Sequence, residues 1–189
     1  ICVPKEYGGQ ELDTLSYIIA VEELARIDGS TAATIAADNS LGISPIKEYG
    51  TKEQKEKYLP RLCKTHLWGF GLTEENAGCD SRGTQSTARQ EGDSWILNGS
   101  KIFITNSATP MTLGSTLQVI YGKKNGKPEF TTFLMENDAE GFTQEPMNRK
   151  MMWRASNTGK LTFNNVRLPK ENMLGEAGQG SHIMLSTLD

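Results

Sequence analysis

Histidine and cysteine are scarce in this sequence. His66 and His182 are the only histidines, and Cys2, Cys63 and Cys79 the only cysteines, all widely spaced. An odd number of cysteines at such spacings makes no disulfide framework, and a reducing compartment suits the chain best. Without a Cys or His cluster there is no zinc-site pattern. A Ser-His-Asp or Cys-His enzyme would have to use His66 or His182. Neither stands beside a nucleophile pattern, so surface or capping roles are expected for both. A long basic run is also missing, and the formal net charge is −3, which argues against a nucleic-acid partner. No apolar stretch reaches the length of a bilayer span. No signal-peptide pattern is seen, but the first residue is Ile1 rather than Met, so residues upstream are expected and the missing pattern says little about targeting. There is no phosphate-loop pattern. "GEAGQG" spaces Gly175, Gly178 and Gly180 as G-x-x-G-x-G, not as a dinucleotide fingerprint, so a turn leading into a helix is expected there.

What remains is an ordinary globular composition, 37% hydrophobic and 23% charged over 189 residues. That is enough for one good core or two small domains. The first third has helical periodicity. Leu15, Ile18, Ile19, Leu24, Ala25 and Ile27 approximate one apolar face, with Asp13 or Thr14 as cap and Gly29 as terminator. A second apolar helix is expected from about Thr31 to Gly42. "GTKEQKEKYLP" predicts a third, opened by a Thr51–Gln54 capping box and limited by Pro60. After Leu67 the period changes. "DSWILNGSKIFITN" holds two extended runs around Asn98-Gly99, a dipeptide suited to a type I′ hairpin. "TLQVIYG", "FTTFLME" and "GKLTFNNVRLP" read as further strands. No helical segment interrupts them, so an antiparallel barrel or sandwich is expected. "GQGSHIMLSTLD" then begins a helix and stops. The chain therefore reads as a fragment, with Ile183, Met184, Leu185 and Leu188 expected to lack packing partners and to fray.

Two stretches concentrate polar groups. "LTEENAGCD", residues 72–80, crowds acids, Asn, Gly, Cys and Asp into a few positions, which is most simply a turn. Glu74 and Glu75 read as loop and surface acids. "FITN", Phe103 to Asn106, sets an aromatic ring beside a Thr hydroxyl at a strand end. Such a ring can stack on a flat heteroaromatic ligand while hydroxyls and backbone amides pair with the ligand's edge.

Five colinear stretches, "VPKEYGGQELD", "YGTKEQKEKYLPRL", "FGLTEENAGCDS", "DSWILNGSKIFITN" and "NNVRLPKENMLGEAGQG", carry a resemblance over essentially the whole chain. It resembles the acyl-CoA dehydrogenase family, most closely the short-chain (butyryl-CoA) group. The resemblance implies an α+β chain of three parts. These are an N-terminal helical domain (1–66, incomplete at its start), an antiparallel β-barrel domain (67–172), and the truncated start of a C-terminal helical domain (173–189). It implies FAD as cofactor, lined by Phe70, Leu72, Thr73, Gly78, Cys79, Phe103, Ile104 and Thr105. Thr73 would bond the pyrimidine edge of the flavin, Phe103 would stack on the ring, and Thr105 would face N5. Gly78 would let the backbone approach closely. Cys79 and Asp189 would lie near the acyl-CoA substrate.

The implied reaction takes a proton from Cα of an acyl thioester and a hydride from Cβ. The base would be a Glu beyond residue 189, so no catalytic residue is expected within the chain, and the chain alone is expected to be inactive. Electrons would pass to an electron-transfer flavoprotein. The whole enzyme would be a homotetramer of fatty-acid β-oxidation in a bacterial cytoplasm or a mitochondrial matrix. The sequence departs from the family pattern at Glu75 (usually Pro), Cys79 (usually Ser), and Met152-Trp153 (usually Gly-Ile). Asp38 falls in the region that packs around the acyl chain in relatives. It is either a helix-surface acid or a carboxylate inside the pocket. The rival reading of the whole chain is a non-catalytic acyl-CoA or flavin-binding module.

Overall fold

The computed structural model describes all residues, Ile1–Asp189. Helix α1 spans Thr14–Ile27, and Asp13 caps it by accepting from Ser16 N at 2.8 Å. It stops at Ile27 because Asp28 turns out of the helix and caps the next one, taking the amides of Ser30 and Thr31. Gly29, expected to end α1, instead opens α2, Gly29–Ala37. The second helix does not end at Gly42. Its turn widens into a π-helical stretch, Asp38–Ile43, that runs directly into α3, Ser44–Tyr49. Helix α4, Lys52–Leu62, opens with the expected Thr51–Gln54 capping box but continues past Pro60. Proline in a helix interior ordinarily costs about 3 kcal/mol. Here Leu59 and Leu62, on either side of it, are both buried, and that burial sustains the last turn.

The second half is one eight-stranded sheet. Its strands are β1 Leu67–Gly71, β2 Thr87–Glu91, β3 Ser94–Thr105, β4 Thr112–Lys124, β5 Lys127–Glu136, β6 Phe142–Pro146, β7 Thr158–Pro169 and β8 Met173–Leu174. The order is β6-β7-β3-β2-β4-β5-β8, with β1 beside β4. The expected closed barrel is not formed, because the end strands β6 and β8 do not pair with each other and β8 has only two residues with which to do so. Nor is the sheet wholly antiparallel: β1 runs parallel to β4, and β2 meets β4 in parallel at Thr87 and Ile120. The Asn98-Gly99 hairpin is also absent, and β3 passes straight through both residues. Glycine is needed there because a Cβ would collide with the Ser86 side chain. The two-residue turns are Gly92-Asp93 and Asn125-Gly126, the latter with φ of 52° and 76°.

Two cores result. One, of 13 residues, lies within the sheet around Leu97, Leu117, Phe133 and Leu161. The other, of 11, joins α3 and α4 to the sheet through Ile46, Leu59, Trp68 and Leu134. The last helix, α5, Gly180–Ser186, belongs to this second core. Ile183 and Met184 are fully buried rather than frayed, because they pack onto β4 and β5; only Leu185 and Leu188 stay exposed.

Candidate functional site

Strand β1 ends at Gly71 and releases the 72–80 loop beside β3. Opposite it, β3 carries a bulge. Its register with β7 jumps between Lys101 and Ile104, so that Ile102 and Phe103 face one β7 residue. The extra residue is accommodated by Phe103, whose backbone is left-handed at φ 61°. That conformation is costly for an aromatic residue and recurs at functional sites. It turns the ring outward, 63% exposed. Ile102 N donates to Thr73 O at 2.9 Å, tying bulge to loop.

Between them lies a cavity of about 390 Å³ lined by all eight residues that the resemblance nominates for the cofactor: Phe70, Leu72, Thr73, Gly78, Cys79, Phe103, Ile104 and Thr105. Leu41 of the π-helical stretch, Ser81, Leu185 and Leu188 complete it. The volume is at the lower end of the ordinary range for ligand pockets, about 300–1,000 Å³. It fits a flat head group, not a whole dinucleotide. Apolar walls, one outward aromatic ring and the hydroxyl-bearing Thr73 and Thr105 suit an isoalloxazine. A Cβ on Gly78 would meet nothing within 4 Å, so no neighbour within the protein demands glycine there and its space opens to the cavity. The lining has no carboxylate and no histidine. Asp189 is exposed at the chain end and takes no part in it. Of the four residues not anticipated, Leu185 and Leu188 are spaced as one helical face, a legible signal. Leu41 and Ser81 carry no local sign.

The adjacent acids behave differently from each other. Glu75 is exposed, as expected, and pairs with Lys160 at 2.7 Å. Glu74 is not a surface acid. It is 7% exposed, and its Oε1 lies 2.7 Å from Nζ of the wholly buried Lys101. Gln85 N and Ser86 N also donate to it, at 2.7 and 3.3 Å. Burial pushes the Glu74 carboxyl up, but the Lys101 charge and these hydrogen bonds outweigh burial and hold it below the usual range. Burial pulls Lys101 down to about 8, against the attraction of Glu74.

Asp38 is likewise no surface acid. It is 5% exposed and accepts from Trp68 N at 3.0 Å. Burial pushes it up to about 7, opposed by that hydrogen bond. Nor does it enter the Phe103 cavity; it lines a separate one of about 430 Å³, with Ile35, Cys63 and His66. The departures Met152 and Trp153 stand exposed on the β6–β7 loop. That loop borders a polar cleft of about 540 Å³. Its lysine, Lys150, is already bonded to Ser156 O and Thr158 Oγ1.

The family descriptions "Acyl-CoA dehydrogenase, N-terminal domain" and "Acyl-CoA dehydrogenase, middle domain" match residues 1–66 and 69–166. The short-chain-specific acyl-CoA dehydrogenase of Clostridium acetobutylicum is 44% identical over 98% of this chain and 48% of its own length. The butyryl-CoA dehydrogenase structure from Megasphaera elsdenii superposes with a TM-score of 0.91 at 42% identity, over 99% of this chain and 50% of that one. An acyl-CoA dehydrogenase from Bacillus anthracis, complexed with FAD, gives a TM-score of 0.90 at 36% identity, over 98% of this chain and 32% of that one. The chain thus spans about half the length of the curated relatives it matches. On sequence and fold together, it belongs to the acyl-CoA dehydrogenase family.

Proposed function

We propose that this chain supplies the flavin-holding part of a FAD-dependent acyl-CoA dehydrogenase for short-chain acyl-CoA thioesters. The observation that carries the reading is the convergence of the 70–79 and 103–105 segments on one cavity with a stacking ring and two threonines. When bound, FAD supplies a hydride acceptor at N5. Phe103 would cover one face of the ring system, Thr73 would bond its pyrimidine edge, and Thr105 would offer its hydroxyl to N5. Cys79 borders the acyl thioester, and Asp189 lies toward the CoA portion. Deprotonation at Cα needs a carboxylate in hydrogen-bond reach. In this reading that carboxylate is a Glu outside residues 1–189. The division into 1–66, 67–172 and 173–189, transfer of electrons to an electron-transfer flavoprotein, and a tetrameric assembly belong to the same reading. The second reading is a module that binds flavin or acyl-CoA without turnover.

The test is to purify the natural protein carrying this sequence, supply FAD and butyryl-CoA with a dye acceptor, and compare it with residues 1–189 alone. Turnover by the natural protein and none by residues 1–189 is expected. A natural protein that binds FAD and butyryl-CoA but never reduces the flavin would establish the second reading.

A further inference from the structure

Lys101 is the most deeply buried cation in the chain, with none of its surface exposed. Its ammonium reaches two groups on the loop that leaves β1, Glu74 Oε1 at 2.7 Å and Leu72 O at 3.3 Å. Its stem lies against Gly71, where an added Cβ would come within 3.3 Å of Lys101 Cγ. The residue after it begins the bulge that turns Phe103 outward. Glu74 in turn gathers Lys101 and the amides of Gln85 and Ser86, and its own backbone closes the 74–77 turn on Ala77 at 3.0 and 3.1 Å. Neither side chain touches the cavity, yet each stands next to a residue or bulge that does: Thr73 precedes Glu74, and Ile102-Phe103 follows Lys101.

A buried ion pair is a poor device for stability alone, because desolvation offsets most of the attraction and apolar replacement is often neutral. What such a pair does supply is a fixed distance between the two strands of chain that bear it. We propose that Lys101 is a positioning residue of this site. Through Glu74 and Leu72 O it locks the 72–79 loop to the Ile102–Phe103 bulge, and so sets the gap between the Thr73 wall and the Phe103–Thr105 wall in which the heteroaromatic ring lies. This deepens the functional reading above and rests on it.

The test uses the natural protein with three variants, Lys101→Met, Lys101→Arg and the double Lys101→Met/Glu74→Leu. Four quantities are measured: unfolding temperature without FAD, FAD affinity, the visible spectrum of bound flavin, and the rate of flavin reduction by butyryl-CoA. Lys101→Met leaves Glu74 buried and unpaired, and is expected to lose both stability and FAD. The double variant buries no lone charge but leaves the Gln85 and Ser86 amides without their acceptor, so it is expected to regain only part of the unfolding temperature lost in Lys101→Met. Its FAD affinity should stay about tenfold or more below wild type, with a shifted flavin spectrum and reduction slowed by roughly 10- to 100-fold. Lys101→Arg keeps the charge but changes the geometry; it should bind FAD with a shifted spectrum. If Lys101→Met does not fold, the other two variants decide. Wild-type affinity, spectrum and rate in whichever of them folds would overturn the inference, because a purely structural pair predicts that result. Wild-type protein that takes up no FAD fails the functional reading and this inference with it, whereas wild-type uptake matched by the double variant fails this inference alone.

Discussion

Helix α1 and the sheet are both rich in apolar residues, yet they dispose of them in opposite ways. None of the 14 residues of α1 is buried, and Leu15, Ile18, Ile19 and Ile27 are all more than half exposed. In the sheet, Leu97, Leu117, Val119, Phe133 and Leu161 are sealed from solvent completely. The sheet therefore closes its own core, while α1 adds little burial to the fold. The cavity follows the same division. Its walls come mainly from β1, β3 and the loop between β1 and β2, and the α1–α4 region lends it only Leu41. The cavity thus rests on the better-packed half.

The sharpest way to break this contrast is to excavate the sheet core. Phe133→Ala removes a ring that packs on Trp95 with centroids 5.4 Å apart and has no exposed surface. A loss of about 3–5 kcal/mol is expected in urea unfolding. A loss no larger than that of an α1 variant would mean that the sheet does not dominate stability.

A smaller effect is expected at the seam between the halves, where Asp38 holds Trp68 N. Asp38 sits at about 7 in the fold against an ordinary 3.8. Between those values the folded chain keeps a proton that the unfolded chain has released. Its contribution is therefore complete below about pH 4 and disappears as the pH rises to 7. Asp38→Asn retains an oxygen for Trp68 N and carries no charge. It should match the wild type at pH 4 and be more stable by roughly 1–3 kcal/mol at pH 8. A gain of equal size at both pH values would show that Asp38 is not protonated in the fold.

Thr105→Val tests the cavity itself. Loss of one neutral hydrogen bond, about 0.5–1.5 kcal/mol, should slow flavin reduction while FAD stays bound. Unchanged stopped-flow reduction would remove Thr105 from N5. The smallest effect belongs to α1: Ile18→Ser, at a position 53% exposed, should alter stability by no more than about 0.5 kcal/mol. A larger loss would show that the α1 face is packed in solution.

Local pattern made part of this legible. Strands β4, β5 and β7 and the α4 capping box follow from alternation and spacing, which are properties of neighbouring residues. Closure of the barrel does not, since it depends on whether two distant edges meet. Asn98-Gly99 misleads for a similar reason. The glycine serves a close approach of Ser86, a tertiary fact, and the dipeptide signals a turn only where no such approach exists. Glu74 reads as a surface acid because its partner lies on another strand. The stretches 72–80 and 103–106 stand out by their polar and aromatic residues, but that they share one cavity is implied by family resemblance alone. Nothing in the spacing of 70–79 and 103–105 says that they meet, and their meeting is arranged by β1 docking on β4.

That docking has a consequence for how the chain is made. Phe70 finds its strand partner only in Thr116, and the lining of the cavity stretches from Leu41 to Leu188. At ordinary elongation rates of about 5–20 residues per second, "LWGFG" emerges from the ribosome seconds before any strand exists to receive it. During that interval it is a bare apolar edge, exposed to neighbouring nascent chains and to the chaperones that shield such edges. The helices that precede it can form at once, but the cavity cannot be complete until Leu188 has emerged.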